Sequence, residues 1–246
     1  NNMSRMFWYC SSLISLDLSN FDTSNVTTME RAFADCSSLV SLNLTNLITN
    51  KVVDMSYMFN SCKSLISIDI SGFNTSNVTN MEGMFGFCQK IVTLSLTNFN
   101  TSKVTKMANM FQECVSLIDL NLTSFDTSNV VDMRGMFQNC KSLTTINLLN
   151  FDTSNVTNMW RMFLNCSSLK ELDLSNFTTS KVTNMESMFH ACVSMTELDL
   201  SNFTTAESNL KGMFMYCEKI EILNIRNFDF QNVNNYENIF KQIKSN

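Results

Sequence analysis

MEGMFGFCQKIVTLSLTNFNTSKVTK, residues 81–106, is the stretch that decides the fold, because the same 26-residue unit recurs along the chain and returns nearly unchanged at 159–184. Cysteine gives the period most clearly. Cys10, Cys36, Cys62, Cys88, Cys114, Cys140, Cys166, Cys192 and Cys217 are 26 residues apart seven times and 25 apart once. A Phe stands three places before each Cys, from Phe7 to Phe214, and Phe240 opens a tenth, incomplete unit. A fixed period in this range is the signature of a solenoid, in which each unit buries its apolar face only against its neighbours.

Two periodicities alternate within the unit. Met81, Met84, Phe85 and Cys88 fall at i, i+3, i+4 and i+7, which predicts one buried face of a short helix of about two turns. Thr79 with Glu82, Thr27 with Glu30 and Thr183 with Glu186 match the reciprocal pattern that caps a helix start. Leu94 and Leu96 then alternate with polar neighbours, as in a short strand with one buried face. Phe99 and residues 101–104 form an extended arm returning the chain to the next unit. The expectation is an α/β solenoid: a leucine-rich-repeat-like stack of about nine coils, with short parallel strands on one face and short helices on the other. Stacked at about 4.8 Å, nine coils span roughly 45 Å.

Residues 1–246 read as one repeat domain, with 1–10 a truncated first unit and 234–246 a degenerate C-terminal capping helix in which Tyr236, Ile239 and Ile243 replace Met, Met and Cys. Lys241 and Lys244 suit a helix C-terminus. The 25-residue spacing is a deletion between Ala206 and Leu210, in the return arm. The chain enters mid-unit, so the first coil is expected to show a raw apolar edge, to be met by further repeats, a cap or another molecule.

Composition narrows the function. A net charge of −5 gives no basic footprint for nucleic acid or anionic lipid. No apolar run reaches the roughly 18 residues of a membrane span, and no leader or anchor signal is present in these residues. With no Pro and five Gly, the turns fall to Asn, Asp and Ser, whose side chains bond back to local backbone.

The motif A/M-F-x-x-C-x-S-L-x-x-L, followed by an L-x-L strand and F-D-T-S-N-V-T-N-M, resembles the BspA-like leucine-rich repeat surface proteins in their 26-residue bacterial variant, most clearly at 11–40, 73–88, 125–140 and 151–166. The resemblance implies a solenoid on a secreted or anchored protein, working in adhesion or ligand binding without chemistry. It carries over no site residues.

The repeated columns read first as structure. Equivalent cysteines in stacked coils point the same way, which opposes disulfides and favours buried thiols acting as small apolar residues. A row of thiols and a single histidine, His190, make a poor metal site; His190 reads as a surface residue. The methionine columns through Met81 and Met84 belong to the core. Asp17, Asn43, Asp69, Ser95, Asn121, Asn147, Asp173, Asp199 and Asn224 form an outward strand column, too sparse in carboxylates for calcium. Thr23, Thr49, Thr75, Thr101, Thr127, Thr153, Thr179 and Thr205 form another, either turn chemistry or, if exposed, a flat array able to order water or ice.

Positions that break the repeat are left for function. Trp8, Tyr9, Arg31, Tyr57, Phe87, Arg134, Trp160, Arg161 and Tyr216, with Leu164 and Met215, lie on the outer side of the predicted helices. Large aromatic and Arg residues varied over a constant core are the composition of a recognition surface. Drift at unconstrained sites explains them equally, and Trp8 and Tyr9 also suit the cover of an exposed end. No nucleophile with base, carboxylate pair or phosphate-binding loop stands out. The leading expectation is a non-catalytic, cofactor-free cell-surface scaffold binding a protein or glycan. A self-associating spacer or fibre, joined through the first coil, and the ice-ordering solenoid are the alternatives.

Overall fold

A computed structural model of the chain describes residues 1–243. The chain winds as a continuous stack of coils whose backbones are joined by parallel bridges. One unbroken row, Asn2, Thr28, Asp54, Asn80, Lys106, Asp132, Asn158, Asn184, Asn209 and Asn235, links every coil to the next. The L-x-L strands pair less continuously: β1 (Ser15–Asp17) with β2 (Ser41–Asn43), β3 (Thr93–Leu94) with β4 (Asp119–Leu120), and β5 (Glu197–Asp199) with β6 (Ile222–Asn224). All three pairs are parallel, with Leu16 opposite Leu42, Leu94 opposite Leu120 and Leu198 opposite Leu223. The repeat solenoid expected from the period is present.

The helices are not. Among the described residues no helix forms, and the M-x-x-M-F-x-x-C segment is a run of overlapping turns. Its amides alternate. Those of Met81, Gly83, Phe85 and Phe87 donate to Lys106, Ala108, Met110 and Gln112 of the next coil, at 3.0, 2.8, 3.0 and 2.6 Å. Those of Met84, Gly86 and Cys88 donate three residues back, to Met81, Gly83 and Phe85, at 3.2, 3.0 and 3.2 Å. An α-helix keeps its interior amides for its own i−4 carbonyls; here the neighbouring coil takes every second one. Two residues per turn segment also sit at positive φ, such as Gly83 (59°) and Phe87 (61°) or Arg161 (56°) and Asn165 (57°), which no right-handed helix accommodates. Successive turns repeat every few residues and put the same side chains inward, so the apolar spacing matched a helix without one forming.

The predicted caps are displaced for the same reason. Thr79 bonds through its hydroxyl to Val53 O of the preceding coil at 3.3 Å, while Asn80 Oδ1 accepts the Glu82 amide at 3.1 Å and starts the turn segment. The C-terminal segment is likewise no capping helix. Asn235 continues the bridge row, and Asn238 (58°) and Gln242 (62°) repeat the positive-φ positions, which makes it a tenth coil. Lys241 is exposed there; Lys244 lies outside the described residues.

The core is a set of columns. Phe7, Phe33, Phe59, Phe85, Phe111, Phe137, Phe163, Phe189, Phe214 and Phe240 stack ring on ring at 5.5–6.0 Å. The Met columns, Val78 and its equivalents, and Leu96 and its equivalents fill the space around them. Each buried thiol donates to the carbonyl of the preceding coil's Phe, as Cys88 to Phe59 and Cys140 to Phe111, both at 3.2 Å. Eight cysteines are buried, Cys10 is exposed, and all nine are free. Burial pushes the thiols up, to about 12 at Cys114 and Cys166.

The threonine column is interior, which removes the surface the ice-ordering alternative needs. Thr23 to Thr205 are at most 2% exposed. From Thr23 to Thr179 each hydroxyl is used twice by the next coil, as Thr127 Oγ1 donates to Asp152 O at 2.9 Å and accepts the Asp152 amide at 2.8 Å, while Thr205 accepts the Asp229 amide at 2.8 Å. A residue without the hydroxyl would leave both backbone groups unpaired, at about 1–3 kcal/mol each. The outward strand column is turn chemistry: Asp17, Asp69, Asp173 and Asp199 accept the amides of Ser19, Ser71, Ser175 and Ser201 at 2.9, 3.0, 2.9 and 2.8 Å. At the deletion, Ser208 replaces a buried Val, donates to Val182 O at 2.6 Å, and lets Asn209 resume the bridge row.

Candidate functional site

Two sides of the stack carry variable side chains, the turn side and the strand side. On the turn side eight of the nine predicted residues fall into three groups. In the first coil Trp8 donates its indole N–H to Asp35 Oδ2 at 3.0 Å, with the Arg5 guanidinium 5.6 Å from its ring centre. Tyr9 beside it is 71% exposed. This coil also exposes Met6, whose counterparts Met58 and Met84 are buried.

The second group is a lash across five coils. Arg31 lies 4.7 Å over the Tyr57 ring. The Tyr57 hydroxyl donates to Glu82 Oε1 at 2.7 Å, and Arg134 Nη2 donates to the same oxygen at 2.7 Å while Nη1 holds Asp132. Burial, then the bond to Glu82, pushes the Tyr57 phenol up to about 12. Gly83 is required beneath it, since a Cβ there would stand 2.4 Å from the Tyr57 ring. Glu82 and Asp132, which organise this group, were not among the expected site residues; only stacking across coils two units apart brings them in.

In the third group Arg161 stacks 4.3 Å over Trp160, and its Nε has no hydrogen-bond partner. His190 stands edge-on to Tyr216 at 5.3 Å, and burial, then the Arg161 charge, holds it below the ordinary imidazole value. It is half-buried in this cluster and not the plain surface residue expected. Phe87 joins none of the groups; its contribution is a positive-φ backbone position.

The strand side holds a feature that the period-2 reading passed over. In the first five coils the residue between the buried strand leucines and the turn is aliphatic and outward: Ile14, Val40, Ile66, Val92 and Ile118, 39–65% exposed. Backbone bonds join two of the four intervals, Val40 N–H to Ile14 O at 2.8 Å and Ile118 N–H to Val92 O at 3.1 Å. From the sixth coil the column becomes Thr144, Lys170, Thr196 and Glu221, and in the seventh and eighth coils its neighbours are acidic. A depression of about 480 Å³ there is lined by Glu171, Asp173, Glu197 and Asp199. The signal was legible as the fourth residue after each Cys, but it needed the exposed face to be known. Among the described residues no group of three or more His, Cys, Asp or Glu is placed to hold a metal ion, and no helix is long and apolar enough to cross a membrane.

The family described as "Mycoplasma protein of unknown function, DUF285" matches residues 1–93, 66–147, 84–173 and 144–246, which together take in the whole chain. Among curated proteins none matches the sequence. The solved structures it is similar to are leucine-rich repeat proteins. A Treponema pallidum leucine-rich repeat protein is 21% identical, over 70% of this chain and 71% of its own, with a TM-score of 0.49. A leucine-rich cell surface protein from Faecalibacterium prausnitzii is 18% identical, over 99% and 79%, with a TM-score of 0.31. A Bacteroides ovatus leucine-rich repeat protein is 15% identical, over 97% and 79%, with a TM-score of 0.28.

Proposed function

We propose that this chain, which belongs to the DUF285 family of Mycoplasma proteins of unknown function, is a non-catalytic binding scaffold at the cell surface that recognises a protein or glycan through its turn side. The observation that carries this reading is the division of labour between columns. The repeated Thr, Cys, Phe and Met side chains are occupied by stacking, so they vary little between coils and cannot distinguish a ligand. The residues that differ between coils are left at the surface, and those on the turn side are rich in the aromatic and Arg types that anchor partners.

Within that surface the group around Trp160 is best suited to binding. The lash through Glu82 satisfies its charges internally, whereas the Arg161 guanidinium, stacked on its indole, forms no ion pair among the described residues. The surface location is supported by the resemblance of the repeat to BspA-like proteins. Purified protein screened on arrays of immobilised glycans and extracellular proteins should give a saturable ligand. The double variant Trp160→Ala, Arg161→Ala should weaken it tenfold or more, as loss of a central anchor does. Undiminished binding by that variant would remove the turn side from the reading.

A further inference from the structure

The aliphatic column on the strand side lies outside the core cluster, and its side chains are 39–65% exposed. A straight row of five β-branched residues exposes roughly 400 Å² of apolar surface, the size at which surface patches are often functional. It stops at the sixth coil and gives way to Glu171, Asp173, Glu197, Asp199 and Glu221, with Lys170 the one cation in the same three columns of coils six to nine. Asp17, Asp69 and Asp119 stand beside the row as well, but the aliphatic column is confined to the first five coils and the four carboxylates that line one depression lie beyond it, so the face runs from an apolar end to its most anionic one. We propose that it docks an amphipathic α-helix of a partner protein, which lays an aliphatic ridge along Ile14, Val40, Ile66, Val92 and Ile118 and sets Lys or Arg from the same ridge over the acidic coils.

Spacing selects a helix over an extended peptide. Stacked coils repeat at about 4.8 Å, and the ridge of a helix, built from residues three and four apart, repeats at about 5.4 Å per turn. Over the four intervals of the row the mismatch is about 2–3 Å, which is little more than 1 Å at either end of a centred helix and within side-chain reach. An extended strand laid along the same row presents a side chain to it every 6.7 Å or so and is out of register by a full coil after two or three contacts. Charge selects the rest of the partner. The carboxylates of Asp173 and Asp199 are held below the usual range by the bonds to Ser175 and Ser201, so they keep their charge well into acid. The depression they share with Glu171 and Glu197 is open enough to admit a Lys or Arg head group.

The inference rests on the binding-scaffold reading but on a different side of the stack, so the two fail separately. The probe is a fluorescein-labelled synthetic helix of about eight turns, with Leu along one ridge for four turns and Lys along the same ridge for the rest, titrated by fluorescence anisotropy. Two control peptides carry Glu in place of Lys, or the same composition interrupted by Pro. The wild-type protein should bind the probe saturably and at least tenfold more tightly than either control. Ile66→Lys with Val92→Lys should weaken binding tenfold or more. Glu171→Lys with Glu197→Lys should weaken it similarly and remove most of its salt dependence. Ser180→Ala, on the return arm, should change nothing. All these positions are exposed, and far-ultraviolet circular dichroism with the thermal midpoint checks that each variant remains folded. Equal binding of the Pro-interrupted peptide, or undiminished binding by the Ile66/Val92 variant, overturns the proposal.

Discussion

The turn side and the strand side meet the same requirement, the joining of one coil to the next, in opposite ways. On the turn side every second amide crosses to the neighbouring coil, an unbroken bridge row runs beside it from Asn2 to Asn235, and the Phe column stacks beneath. On the strand side pairing is confined to three short pairs, β1 with β2, β3 with β4 and β5 with β6. The lesson is that the side resembling a helix in sequence is the continuous backbone ladder of the stack, and the side resembling a sheet is the looser one. Continuity on one side releases the other from structural duty, which is why an exposed Ile/Val column can end abruptly at the sixth coil without breaking the solenoid.

The largest effect expected from that contrast is with pH. The thiols beside the ladder are buried, and those of Cys114, Cys166 and Cys217 are pushed up to about 12 from an ordinary 9. Between these values the unfolded chain releases protons that the native stack retains. The thiol contribution is therefore complete below pH 9 and lost as pH rises towards 12. The urea midpoint should fall steadily from pH 8 to 10.5, and Cys140→Ala, with one thiol fewer, should fall less steeply. A flat midpoint would mean that the thiols are accessible in the native protein.

Next in size is truncation on either side. Phe111→Ala removes a fully buried ring from the column and should cost about 3–5 kcal/mol in chemical denaturation. Ile118→Ala, half-exposed on the strand side, should stay within about 0.5 kcal/mol of wild type. Similar losses for the two would erase the distinction between the sides. The smallest effect is a gain. Ala191 holds a positive φ of 58° within the turn segment, and Ala191→Gly should relieve that conformation and raise stability by about 1 kcal/mol. A loss instead would show that the methyl group contributes more than the backbone strain costs.

Much of this was legible beforehand. The Cys and Phe spacing announced the solenoid, and Met81, Met84, Phe85 and Cys88 were placed inward as found. What misled was that i, i+3, i+4, i+7 describes where side chains point, and both a helix and a chain of β-turns can point them so. The choice between them is made by hydrogen bonds to a coil 25 residues away, which no local window contains. The threonine column stayed open between turn chemistry and an exposed array for the same reason: only the adjoining coil supplies the Asp152 carbonyl and amide that hold Thr127 inside. At the surface, Trp8, Tyr9 and Trp160 could be picked out as exceptions to the repeat, but the lash joining Tyr57 to Arg134 could not, because its centre, Glu82, lies in a different coil from either.

By itself, then, the sequence determined the period, the inward columns and the acidic net charge, since these follow from composition and from each residue's neighbours along the chain. Tertiary structure alone decided that the turn segments are not helices, that the threonines are interior rungs, and that five aliphatic residues form one exposed row. Those outcomes depend on which backbone groups and side chains a neighbouring coil supplies, and only the stacking of coils brings residues 25 or 26 positions apart within hydrogen-bonding distance.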